Sequence, residues 1–538
     1  MTEEINLRGG HRTALVYLAQ ADALCRAVDP WIGWRPGAEP VLVSMAPGGN
    51  LLVGSPEPPP GFRPVAGGAG GAGGGNGLAA FYRPGFLDQR SLGVGVLAGR
   101  PRYSQVGGAL VPAVLFSPGR DPLASFGVLA RKVFQAQIAL ELAAGVDAAK
   151  GVADETDLEG LSGTATGESK RNAFAGMAAM LRECQESFER YPESTVHNNV
   201  LGNLEGALLY GFLQKDGFDA QVAAVTGDDA TASLARTIAL VRRERWAQMT
   251  QPLVAFERRM ELYEGLPRFV EMLLLRAIAA GGEGLLSADF LRLTGDDVST
   301  AAGRLSSARF GLLTQLNRRG WGAGRRRFYH SGMGLGFLLD AAVPGWRREI
   351  SDEGQPLDLV LESTVTFDGG HLDEKLLELA RRRYGYYERL EDERDWAEAA
   401  GEKRRELLAK VLEAEGTRIT VDVSALSEKS VWYDTGAAER IGESVVVHVR
   451  PGVFTYGDGS TFVEFRGLAM IEDRRARLFH LTVPGRNLSV FGDDDRLPAH
   501  KGAEFTGGLD VELAGLRVRA QRGTVQREGG LIFISLLA

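Results

Sequence analysis

The spacing of apolar residues changes period along this chain, and that change limits the possible folds more than any single motif does. From Pro122 to Trp346 apolar side chains recur at intervals of three and four, which places them on one face of a helix. After Gly416 they alternate instead, as in strands with one buried face. The first block predicts helices near 122–145, 170–190, 195–214, 229–264, 266–281, 299–319 and 329–343, parted by joints that carry Gly, Asp or Pro. The second predicts seven strands, at 417–423, 444–450, 461–465, 478–483, 509–513, 516–520 and 530–536.

Two further patterns complete the chain. Residues 12–29 read as a helix with Leu15, Leu18, Ala21, Cys25 and Val28 on one side and a stop at Pro30. Between Pro40 and Phe116, short runs at 41–44, 51–53, 78–82, 93–97 and 109–116 alternate with Gly and Pro and suggest a small sheet. The stretch 357–362 reads as extended, followed by a turn over 366–371. Residues 372–415 read as a long charged helical region with pairs such as Glu378 and Arg382 four apart.

The fold class that follows is α+β and multidomain: a small N-terminal β-sheet, a large helical domain and a C-terminal all-β sandwich or barrel. The expected boundaries are 1–120 for the N-terminal helix and sheet, 121–371 for the helical domain, 372–415 for a charged helical connector and 416–538 for the β domain. A chain of 538 residues is too long for a single core, and 44% hydrophobic with 24% charged residues is the composition of a globular protein. The net charge of −8 is mild. It gives no reason to expect nucleic acid as a partner, and the basic clusters at 242–245 and 325–327 read as solvated faces or ion-pair sites. No apolar run reaches the roughly 18 residues that span a bilayer, and the first residues lack the pattern of a secretory signal. With Cys25 and Cys184 as the only cysteines, a cytoplasmic setting without disulfides is expected. Gly67 to Gly77 resembles a phosphate loop only superficially, since no Gly-Lys-Ser/Thr ending or following helix accompanies it.

Two helical segments carry the strongest pointer to function. One contains Arg131-Lys132-Val133-Phe134-Gln135, and the other runs from Glu257 through Tyr263-Glu264-Gly265 to Glu271. Around them lie the run from Leu51 to Phe62, the segment from Asn199 through Glu205, and the segment from Phe328 through Tyr329, His330 and Gly332-Met-Gly334-Leu-Gly336 to Asp340. In order and spacing, residues 12 to 371 resemble a gluzincin-type (thermolysin-like) metallopeptidase domain with a degenerate H-E-x-x-H motif. In such a domain two histidines four apart and a carboxylate from a later helix hold zinc, and the motif's glutamate activates the bound water.

The resemblance puts Arg131 and Gln135 where ligating histidines would be, Lys132 where the catalytic glutamate would be, and Glu264 at the third ligand. Two cations and an amide are poor company for zinc, so it implies a pseudoenzyme that needs no metal or other cofactor. Arg131, Lys132, Gln135 and Glu264 then become binding or structural residues, with Arg131 expected to pair with Glu264. The alternative leaves Arg131 and Gln135 on an exposed face and Glu264 engaged elsewhere. Should the framework keep a reaction, Glu205, Glu264, Glu271, Tyr329 and His330 are the candidates for it. The expected partners are another protein or further copies of this chain, with no membrane. The implied role is binding or scaffolding, with a zinc-independent hydrolase and an assembly component as alternatives.

Overall fold

In the computed structural model the described residues run from 7 to 537, apart from 8, 46–48, 66–77, 85–89, 92–101, 107–108, 145–186, 188–190, 192–194, 281–284, 318–322, 427–430, 434–437, 442–443, 450–451, 458–460, 485–503, 514 and 529. The expected strand at 93–97, nearly all of the helix at 170–190, the glycine run at 67–77 and Cys184 lie outside them. The chain forms two compact units, Met1–Leu390 and Glu391–Ala538.

In the first unit, helix α1 (Gly9–Val28) precedes a sheet of β1 (Val41–Ser44), β2 (Gly49–Val53), β3 (Arg63–Pro64), β4 (Ala80–Pro84), β5 (Arg90–Ser91), β6 (Arg102–Val106) and β7 (Ala109–Leu115). Its order is β3-β4-β2-β1-β7-β6-β5, antiparallel except where β1 and β7 run parallel. Alternation divides the side chains between two buried faces. Val41, Val43, Leu51, Val53 and Val114 join the helical core, while Leu42, Leu52, Phe81, Val111 and Ala113 form a smaller cluster on the other side.

The helices follow as α2 (Pro122–Ala144), α3 (Val196–Gln214), α4 (Phe218–Thr226), α5 (Ala230–Trp246), α6 (Gln251–Met260), α7 (Leu266–Ala279), α8 (Ala288–Thr294), α9 (Ala301–Gln315), α10 (Ala323–Ala342), α11 (Trp346–Glu353), α12 (Leu357–Glu362) and α13 (His371–Arg383). One core, from Ala14 to Ala380, runs through α1 and all of these helices except α6. Asp229 caps α5 by accepting from the backbone N–H groups of Thr231 and Ala232 at 2.9 and 3.1 Å.

Two expectations need correction here. The stretch 357–362 is helical, because Leu357, Val360 and Leu361 bury one helical face behind Pro356 at the cap. The helix expected over 229–264 breaks after Trp246 and restarts at Gln251, with Pro252 in its first turn. From there it runs through a π-helical turn, Glu261–Gly265, into α7. Pro267 accounts for that turn. A proline inside a helix cannot donate to the carbonyl four residues back, here Tyr263, and its ring crowds that carbonyl; one wider turn relieves the crowding.

Helix α14 (Tyr386–Leu412) contains the division between the units. In the second unit β8 (Thr417–Asp422), β9 (Val431–Tyr433), β10 (Ala438–Arg440), β11 (Val445–His448), β12 (Phe454–Gly457), β13 (Phe462–Phe465), β14 (Met470–Asp473), β15 (Leu478–Val483), β16 (Glu504–Leu513), β17 (Leu516–Glu528) and β18 (Leu531–Leu537) form a single sheet. Its order is β10-β11-β14-β15-β8-β18-β17-β13-β12-β9, with β16 also on β17, curled into a half-barrel. The inner face packs Ile419, Val421, Phe454, Phe465, Phe479, Val518 and Ile534 together. Val447 and Ile471 point the other way, onto Leu407, Leu408 and Val411 of α14.

Candidate functional site

The π turn places Glu261 and Glu264 in two different settings, both fully dehydrated. Glu264 faces α2. There the Gln135 amide donates to the Glu264 carboxylate at 3.1 Å and to the Tyr263 carbonyl at 3.2 Å, the same carbonyl that Pro267 cannot serve. Gln135 therefore closes a backbone defect and satisfies a buried carboxylate at once.

Arg131, one helical turn earlier on α2, donates to Glu271 of α7 at 3.2 Å, so its carboxylate partner is Glu271 and not the expected Glu264. The reason is register. Glu264 lies across from Gln135, and the next carboxylate along that helix is Glu271, about two turns further on and within reach of Arg131. Arg268 takes the second oxygen of Glu271 at 2.5 Å. Burial works against the Arg131 charge, but attraction from Glu271, with smaller help from Tyr329 and Glu264, outweighs it and raises the guanidinium pKa. The Arg131 guanidinium also sits 5.4 Å from the centre of the Tyr329 ring. Lys132 points elsewhere, donating to the Leu115 carbonyl at the end of β7 at 2.9 Å.

Glu205 belongs to a second set. Arg242 of α5 donates to Glu205 and, through both terminal nitrogens, to Glu261 at 3.0 and 2.7 Å; Ser331 of α10 donates to Glu261 at 2.7 Å. Arg245 pairs with Glu257 at 2.7 Å and reaches Glu205 at 3.2 Å. The Trp246 indole N–H at 2.6 Å and the Tyr191 hydroxyl also donate to Glu257. Arg242 is 1% exposed and Arg245 5%, so these charges have left water. Burial opposes ionisation of Glu257, but Arg245 and the hydrogen bonds overcome it and lower its pKa. At Glu261 burial prevails over Arg242, assisted by the neighbouring Glu205 and Glu257, and the pKa rises.

His330 joins neither carboxylate set by hydrogen bond. Its ring lies over Gly311 of α9, beside the Ala308 backbone, and faces Arg268, Arg131 and Glu271. Burial, then repulsion from Arg268, pushes its pKa down to about 4. The structure thus brings Arg131, Glu271, Tyr329 and His330 together, holds Gln135 with Glu264, and sets Glu205 apart. Sequence reasoning missed Glu257 and Glu261 as partners of Arg242 and Arg245. The available signal was the spacing of three between the arginines and four between the glutamates, which puts each pair on one helical face.

Other histidines have local roles: His448 with Glu472 at 2.9 Å, His480 with the Thr420 hydroxyl at 3.0 Å, and His197 with the Glu244 carbonyl at 3.1 Å. Among the described residues no group of three or more His, Cys, Asp and Glu side chains is placed to hold a metal, and no helix is long and apolar enough to cross a membrane. Comparison with protein-family models, curated proteins and solved structures finds no match.

Proposed function

We propose that this protein is a pseudoenzyme, a binding or scaffold protein built on a metallopeptidase-like framework whose metal position has been taken over by its own side chains. One observation carries the reading. At the positions where the resemblance would put zinc ligands, Gln135 is spent on Glu264 and Tyr263, and Arg131 on the nearby Glu271, so the side chains there are engaged within the protein. A guanidinium and an amide stabilise buried carboxylates without offering an electrophile or activating water. Helices fixed in this way supply a rigid surface for a protein partner or for another copy of the chain.

A second reading, a hydrolase that works without zinc, draws support from the meeting of Arg131, Glu271, Tyr329 and His330. Incubation of the full-length protein with a mixed peptide library, with and without a chelator, separates the two. The proposal expects no cleavage above a buffer control in either case. Cleavage that the chelator abolishes overturns it in favour of a metallopeptidase. Cleavage that resists the chelator and is lost in Tyr329→Phe overturns it in favour of the zinc-free hydrolase.

A further inference from the structure

One imidazole fills part of the contact between α9 and α10. Gly311 has no side chain, and the His330 ring occupies the space a Cβ would need there. The ring's Nδ1 is buried without a hydrogen-bond partner among the described residues. The charged groups that face it are Arg268 and Glu271 from α7 and Arg131 from α2, while α9 presents only the Ala308 backbone and Gly311. Glu271 cannot neutralise a third cation cheaply, since its two oxygens are already engaged by Arg131 and Arg268.

We propose that His330 is an acid-sensitive latch: the neutral ring lets α10 lie flat on Gly311 of α9, and protonation parts the two helices and loosens the stacking of Arg131 on Tyr329. A protonated ring would place a third positive charge beside two guanidiniums and would have a buried Nδ1–H with no acceptor. This latch operates whether or not the protein binds a partner through the same helices.

The direction with pH follows from the proton count. The folded-state pKa, about 4, lies below the unfolded value of 6.5, so the open form binds more protons between them. The closed contact is at full strength above pH 6.5 and weakens as pH falls toward 4, by at most about 300-fold in the closed-to-open ratio.

Hydrogen exchange of the α9 and α10 amides in the full-length protein, corrected for intrinsic rates, reads this ratio. Protection in the wild type is expected to fall by roughly tenfold or more across that window, while His330→Gln, which keeps an N–H donor but cannot titrate, falls much less. Equal pH dependence in the two proteins overturns the latch. If His330→Gln does not fold, the ring of His330 is titrated by NMR in the wild type: a midpoint well below 6.5 supports the latch, and one at or above 6.5 overturns it.

Discussion

Replacing Glu257 by alanine is expected to destabilise the first unit by about 3–5 kcal/mol, enough to leave a domain of ordinary stability partly unfolded. The substitution removes one shared acceptor from four donors in a dry interior: both terminal nitrogens of Arg245, the Trp246 indole and the Tyr191 hydroxyl. The loss comes less from the vanished attraction than from the buried Arg245 charge left with the longer 3.2 Å contact to Glu205 as its counter-ion. Urea unfolding followed by tryptophan fluorescence checks it. Arg243→Ala is the control, because the Arg243–Glu362 pair lies at the surface, and its removal should cost no more than about 1 kcal/mol. A Glu257→Ala protein as stable as that control would mean the buried cluster is not closed as described. The lowered pKa of Glu257 adds a pH signature: its contribution is present above the unfolded carboxylate pKa and is lost as pH falls through the folded value.

Gly265→Ala should cost about 1–3 kcal/mol or more by a different route. A Cβ there would stand 2.5 Å from the Gly332 Cα and 2.7 Å from the Phe328 carbonyl oxygen, and neither backbone atom can rotate away. The π turn and α10 would have to separate. Because that turn carries Glu261 and Glu264, the displacement pulls on Arg242, Ser331 and Gln135 together. Gly303→Ala, at an exposed position of α9, meets nothing within 4 Å and should be neutral or stabilising by about 0.5–1 kcal/mol. Thermal unfolding of the two variants side by side tests the contrast. Equal melting temperatures would contradict the close crossing.

The helical and strand blocks were legible because burial on one face imposes a period on the sequence, and Leu129, Val133 and Phe134 or Ile419 and Val421 carry it plainly. Short strands such as Val431–Tyr433 and Ala438–Arg440 were not, since three residues are too few to show alternation. Helix α12 was misread for a similar reason: Leu357-Asp-Leu-Val-Leu alternates locally, and only burial of Leu357, Val360 and Leu361 together selects the helix. At the site, the two helices and the residues on them were visible from spacing. The partner choice was not. Whether Arg131 meets Glu264 or Glu271 depends on how far α2 is slid along α7, a tertiary quantity that neither segment encodes by itself. The π turn was hidden likewise, although Pro267 in the middle of a helical pattern was its visible cause.

Zinc retention gives the decisive measurement. The full-length protein is equilibrated with excess zinc, passed through a desalting column and its metal content determined, with the melting temperature recorded before and after. Gln135 and Arg131 already engage Glu264 and Glu271, so little zinc should remain bound, far below one ion per chain, and the melting temperature should not rise. One tightly held zinc per chain that stabilises the fold and disappears in Glu264→Gln would show that the site is a metal centre after all.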